Sequence, residues 1–393
     1  MENSIINLSL YVLTFIFYVI VRRKIDIGFV LIFLYTMTAV MCSLYLIENE
    51  SNWVLSLWSF IYLYVIIMLF IRPFFIDFQI VSSKIQINNI IFLKYFIWFY
   101  VLCSFIDVYY GFLSAKENLL NSQWDELRRE LYAGNIKLYN NQFERITRII
   151  VQYFKPLAIL VFFISLYSKI TSRFWVLLFF ISIVITSFSL AVNTASRGLL
   201  VTLAASFICG YILFKNTLSK SAKRFVYTSG AVSFAIILIY SISVTNARFG
   251  DGNESSSLLY YFGHSMLVFN YGITDSIQTF GNGAFFFDWF NKLLELDLIN
   301  IERLGTHFGT QFFTFVGSLY IDFGPNGTFL IAIIIPFFFI QILKRKVIGL
   351  AELFIVFVYV NYLFMGVFVI GRGNFLAWLI AIFIYKFLKF KKV

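Results

Sequence analysis

Eleven apolar runs, each close to the length needed to cross a bilayer, dominate this chain of 393 residues; they fall at 4–21, 27–47, 53–71, 91–112, 149–168, 174–192, 199–214, 225–244, 326–343, 350–370 and 374–388. A lipid interior offers no water to backbone N–H and C=O groups, so a run of about 20 apolar residues must close its hydrogen bonds within one helix. The pattern predicts an all-α polytopic membrane protein of eleven transmembrane helices, built as a single transmembrane domain over 1–393. Composition agrees, because 13% charged residues and a mean hydropathy of +0.84 do not describe a soluble globule.

In a soluble chain the net charge of +11 would point to nucleic acid. Here the basic residues sit in short connections, and nucleic-acid binding is not expected. Arg22, Arg23 and Lys24 follow the first run, and further clusters lie at Arg72, Lys84 and Lys94, at Lys169 and Arg173, from Lys215 to Arg224, at Lys344 to Lys346 and from Lys386 onward. They occupy every second junction, which by the positive-inside rule puts the N-terminus outside and the C-terminus in the cytoplasm. The first run carries its positive charge after the apolar stretch, so it reads as an uncleaved anchor. Cys42, Cys103 and Cys209 fall inside apolar runs and read as small buried hydrophobes. With two histidines, His264 and His307, and no ligand spacing around them, neither a metal site nor a cofactor is expected.

Two outer segments are long enough to hold chemistry: 113–148, and 245–325 with a half-helix at its end. Both are expected to be helical. The half-helix arises because Gly324-Pro325-Asn326-Gly327 breaks a run too long for one span. Within the larger segment, Phe285 to Leu294 mixes aromatic and polar residues at near-helical spacing and is expected to lie along the interface.

Arginines stand at the mouths of three spans on this outer side: Arg197 in Ala195-Ser196-Arg197-Gly198, Arg248 in Asn246-Ala247-Arg248-Phe249-Gly250, and Arg372 in Gly371-Arg372-Gly373. A guanidinium is charged at any relevant pH and grips phosphate oxygens bidentately, so the three suggest an anionic ligand. The alternative is that each snorkels to lipid headgroups or pairs with Asp107 or Asp322. His307 is a candidate general base for a sugar hydroxyl, or a hydrogen-bonded structural residue. Asp322 is a candidate base, an arginine partner, or a cap for the turn after it. In the first outer segment, Asp125 with Arg129 and Glu144 with Arg148 stand four apart and can pair on a solvated helix face, while Arg128 is a further candidate for the ligand. Lys155, beside Pro156, is expected to snorkel. No Walker loop, Rossmann glycine pattern or nucleophile elbow occurs.

Three stretches carry a resemblance: Thr194 to Leu200 opening a span, Asp125 to Glu130 in an outer helix, and Phe315 to Gly327 entering a late span. In these the chain resembles the bacterial oligosaccharide repeat unit polymerases, the O-antigen polymerase (Wzy-type) family. The resemblance implies a glycosyltransferase whose substrates are undecaprenyl-diphosphate-linked oligosaccharides, with a flippase and a chain-length regulator as partners. On that expectation Arg197, Arg248, Arg372 and Arg128 hold the diphosphates, and His307 or Asp322 takes the acceptor proton. A ligase using the same chemistry and a flippase for the same lipid-linked unit are the competing expectations.

Overall fold

A computed structural model of the chain describes residues 2–48, 54–76, 85–121, 123–133, 141–168, 170–249, 254–274, 277, 280–281, 283, 313–345, 347–367 and 374–391. It is almost entirely helical, and among the described residues eight helices are long and apolar enough to cross a membrane. This is the expected all-α membrane architecture. The helices at the other three expected spans, Gly198–Phe214, Leu350–Met365 and Asn374–Phe390, are 17, 16 and 17 residues long. At 1.5 Å per residue these reach about 25 Å, short of a hydrocarbon core of about 30 Å. The chain divides into two compact units.

The first unit contains Met1–Phe78, Ser255–Lys346 and Tyr362–Ile382. Its helices begin with α1 (Glu2–Arg22), α2 (Ile27–Glu48) and α3 (Leu57–Ile71). In α1 the buried residues are Ser4, Asn7, Tyr11 and Tyr18, a narrow seam at helical spacing that marks an edge helix. Pro73 ends α3 in a short tight helix, Arg72–Phe75.

Residues 254–274, expected within the larger outer segment, form α10 (Glu254–Leu267) and a π-helical stretch, Val268–Thr274, whose Val268, Phe269, Asn270, Gly272 and Ile273 are buried. The reason is visible in Leu258 to Ile273, which holds no Asp, Glu, Lys or Arg and is too short to span. Asn270 fixes this stretch to the start of α3, accepting from the Ser56 N–H at 2.8 Å and donating to the Ser56 carbonyl at 2.7 Å.

The later part of this unit holds α11 (Phe315–Leu343), which is two helices joined at Gly324 (φ 64°, ψ −174°). The break expected from the Gly-Pro-Asn-Gly run falls on the residue that enters a left-handed conformation at least cost. Pro325 has no N–H, so the Ile321 carbonyl loses its helical partner. The Gly281 N–H supplies the missing bond at 2.8 Å, and the Tyr62 hydroxyl donates to the Pro325 carbonyl at 2.7 Å.

The second unit contains Gln79–Glu254, Val347–Asn361 and Phe383–Val393. It is built on α4 (Ile90–Asn121), α6 (Gln142–Ser168) and α7 (Arg173–Asn193). Every residue of α6 from Leu157 to Ser165 is buried, the mark of a helix packed on all sides. Outside them lie α8 (Gly198–Phe214), α9 (Lys220–Phe249) and the short α5 (Trp124–Ala133). A two-residue parallel pair, with Ile85 opposite Ile348 and Gln86 opposite Gly349, ties the connection before α4 to the one before α12 (Leu350–Met365); α13 (Asn374–Phe390) ends the fold. In the first outer segment, 113–148, α4 runs on to Asn121, the separate α5 follows, and α6 begins at Gln142.

Candidate functional site

In the second unit the turn from α7 to α8 is the most constrained piece of backbone. Helix α7 ends in a Schellman motif, with the Ser196 N–H bonded to the Ala191 carbonyl at 2.9 Å and the Ala195 N–H to the Val192 carbonyl at 3.3 Å. The left-handed residue of such a motif is usually glycine; here it is Ala195, at φ 47°. An L-residue there costs about 1–2 kcal/mol, and the chain holds it by burying Ala195 completely. Arg197 follows as the N-cap residue of α8, its carbonyl accepting from Leu200 and Val201 at 3.0 and 3.1 Å. Arg197 thus occupies the positive end of a helix, a place that favours an anion.

Ala195 packs in a cluster with Trp124 of α5, Ala191, Leu200, Tyr240 and Val244. The Trp124 indole meets the Tyr240 ring edge-on at 5.5 Å and donates to the Ser243 hydroxyl at 3.3 Å. Tyr240 in turn donates to the Ala191 carbonyl at 2.8 Å, and its hydroxyl lies within electrostatic reach of Arg197. Three of the four candidate arginines are thus carried by elements that meet here. Arg197 is on the turn, Arg128 lies on α5 one turn beyond Trp124, and Arg248 lies on α9 one turn beyond Val244. Arg372 and His307 lie outside the described residues, as does the interfacial stretch Phe285 to Leu294. Asp322 belongs to the first unit, fully buried two residues before the break in α11. Gly281 passes so close that a Cβ on it would meet the Asp322 carboxylate.

Beneath the turn lies a set of charges that sequence reasoning placed wrongly. Glu144 and Arg148 were expected on a solvated face; both are buried, and Arg148 Nε donates to Asp107 Oδ1 at 2.6 Å. Asp107, an expected partner for the mouth arginines, is therefore engaged from within the bundle. Gly111 makes room for this arrangement. A Cβ there would sit 2.8 Å from Arg148 Nη2, 2.9 Å from Ser189 Oγ and 3.2 Å from Asn193 Nδ2. Asn193 donates to the Gly111 carbonyl at 3.2 Å, and it is also the last residue of α7, so the buried charges and the Arg197 turn share a support. Lys155 is half-buried and donates to Gln152 Oε1 at 2.6 Å rather than reaching outward alone. Asp107 Oδ2, Ser104 Oγ and Ser189 Oγ are buried with no hydrogen-bond partner among the described residues. The available signal was Asp107 itself, the one carboxylate in the run 91–112.

His264 sits in the first unit, 5% exposed, with the Tyr45 ring edge-on at 5.5 Å and the Tyr271 hydroxyl 3.3 Å from Nε2. Burial pushes its pKa down to about 4. The unfolded chain takes up this proton near pH 6.5 and the folded chain only near 4, so the contribution is complete above about 6.5 and lost as pH falls toward 4. Unfolding in detergent should show a loss of about 3 kcal/mol across that window. His264→Gln should flatten this part of the profile, and an unchanged acid slope in the variant would show that another group carries it.

Comparison with known proteins returns no match: no family model fits the chain, and no curated protein and no solved structure is similar to it.

Proposed function

We propose that this chain is a repeat unit polymerase of the bacterial cytoplasmic membrane, joining undecaprenyl-diphosphate-linked oligosaccharides into a surface polysaccharide on the outer side, with the N-terminus outside and the C-terminus inside. The observation that carries the reading is the Trp124 cluster, which gathers α5, the α7–α8 turn and the end of α9, and with them the positions of Arg128, Arg197 and Arg248.

In the proposed reaction a hydroxyl oxygen of the incoming repeat unit bonds to the anomeric carbon of the growing glycan. The bond from that carbon to the diphosphate oxygen breaks, and the electron pair leaves with the diphosphate. Negative charge grows on the leaving oxygens, where Arg197 at the head of α8, with Arg128 and Arg248 of the same unit, stabilises it. The acceptor oxygen gives up its proton to a general base as it bonds to the anomeric carbon. Two lipid tails confined to one membrane plane supply the encounter geometry.

Purified protein given synthetic undecaprenyl-diphosphate-linked repeat units should yield a gel-resolved ladder that persists in chelator. A product no longer than the substrate rejects the reading. The two alternatives separate on gene deletion. Loss of a flippase strands repeat units on the cytoplasmic face, loss of a ligase leaves long glycan on its carrier, and loss of a polymerase leaves single units at the surface. The flippase reading draws on Asp107 and Arg148 lying among spanning helices, but those charges neutralise each other at 2.6 Å.

A further inference from the structure

Three helices of the second unit, α4, α6 and α7, turn polar residues toward one another along a seam. On α7 the buried Ser182, Thr186, Ser189 and Asn193 stand three or four residues apart, which puts them on one face. The same spacing joins the buried Ser104, Asp107 and Gly111 on α4, and Arg148, Gln152 and Lys155 on α6. Contacts between the stripes close the seam: Arg148 Nε meets Asp107 Oδ1 at 2.6 Å, and Asn193 donates to the Gly111 carbonyl at 3.2 Å. Phe105, Ile149 and Ile185 are exposed on the same helices, so this bundle is polar inside and apolar outside.

The seam has a mouth and a floor. At the mouth the half-buried Asn118 reaches Asn193 Oδ1 at 3.5 Å. From Asn193 to Ser182 the line descends about 16 Å, roughly half the thickness of a hydrocarbon core. Below that level each helix supplies one aromatic ring: Phe96 of α4 packs on Phe154 of α6 at 6.2 Å and on Phe179 of α7 at 6.5 Å.

Between mouth and floor, Asp107 Oδ2, Ser104 Oγ, Ser189 Oγ and Gln152 Nε2 are buried with no hydrogen-bond partner among the described residues. An unpaired polar group at membrane depth is costly, so such groups are solvated where protein does not pair them. These four are of mixed kind, since a carboxylate oxygen only accepts, an amide N–H only donates and a hydroxyl does either. Water satisfies all of them, whereas a metal ion has no use for the amide donor. The charges that act on Asp107 are Arg148, Lys155 and Glu144, all of α6. With Asp107 they sum to zero, so no net charge draws in an ion instead. Tyr100 and Cys103 of α4 are the other titratable groups at this level, and α7 brings none to it.

We propose that the seam is a water-filled proton inlet, which connects Asp107 and Lys155 to the water at the Asn193 end of the bundle and is closed beyond them by Phe96, Phe154 and Phe179. A proton passing down it is taken up at Asp107 Oδ2, the carboxylate oxygen that Arg148 Nε does not hold. Open at one end, the inlet gives both groups the pH of one membrane face alone. It stands without the polymerase reading and takes from it only that the Asn193 end faces outward.

The three native cysteines are buried, and with all three replaced by alanine a single added thiol reports on the inlet. Methyl methanethiosulfonate crosses membranes and reacts with the thiolate, so the rate follows exchange of the thiol proton with water. In sealed right-side-out vesicles, Ser189→Cys should react about tenfold faster for each unit rise of outer pH while the thiol is mostly protonated, and should ignore the inner pH. Lys155→Cys, deeper in the seam, should behave alike; if it does not fold, Ser189→Cys, a one-atom exchange, decides alone. Ile185→Cys, on the exposed face of α7, should respond to neither side.

A Ser189→Cys rate that ignores the pH on both sides overturns the inlet, and a rate that follows both overturns its closed floor and with it the proposal. A rate that follows the inner pH alone upholds the inlet and reverses the orientation in the proposed function. No turnover is measured, so polymer without this response removes the inlet alone, and the response without polymer removes only the polymerase reading.

Discussion

Replacing Arg148 by alanine is expected to destabilise the protein by about 3–5 kcal/mol, the largest stability effect of any single substitution argued for this chain. The penalty comes less from the bond that is lost than from what remains. Asp107 is completely buried, its Oδ1 is held at 2.6 Å by Arg148 Nε, and its Oδ2 has no hydrogen-bond partner among the described residues. Without the guanidinium, the carboxylate must either stay ionised in an apolar setting or take up a proton. Asp107→Leu combined with Arg148→Met should recover much of the loss, because an apolar pair of similar volume has no charge to desolvate. The measurement is a double-mutant cycle on unfolding in detergent, and a coupling of several kcal/mol is expected. Additive single effects would mean that the two side chains do not depend on each other. Gly111→Ala tests the same arrangement from the other side, since its methyl group would meet Arg148, Ser189 and Asn193 together.

That pair also marks how far sequence reasoning reached. The apolar runs specified helices because backbone hydrogen bonding in lipid admits little else, and Gly324 with Pro325 specified the break in α11 by chemistry local to those residues. Arg148 was misplaced because a local partner, Glu144, lay four residues away at helical spacing, while the partner it takes, Asp107, is 41 residues away on another helix. Only packing decides between such choices. Trp124 was overlooked for a related reason: it opens a charged helix whose pattern reads as solvated, yet it is 2% exposed and anchors α5 to α9. A large aromatic at the head of an otherwise polar helix was the available signal. Residues 254–274 hold an apolar stretch shorter than a span, and its Val268, Phe269, Asn270, Gly272 and Ile273 are buried, which only tertiary packing decides.

For the proposed reaction, the decisive substitution is Arg197→Ala, expected to lower the rate of ladder formation by about 10²–10³-fold, as loss of one preorganised donor to a developing oxyanion does. Arg197→Lys separates two explanations of that loss. Lysine keeps the positive charge at the head of α8 but presents a point cation, not a planar fork. If Arg197 acts by long-range charge alone, lysine should restore nearly the whole rate. If it grips two oxygens of a diphosphate, lysine should stay about tenfold below the parent, because a bidentate contact becomes monodentate. We expect the second result. Ala195 bears on the same question, because the Schellman turn that places Arg197 carries left-handed strain at that residue. Ala195→Gly relieves the strain and should leave the rate intact while slightly stabilising the fold, since glycine enters this conformation freely. A parental rate in Arg197→Ala, from protein of unchanged stability, would remove Arg197 from the site and with it the reason for placing the diphosphate at the head of α8.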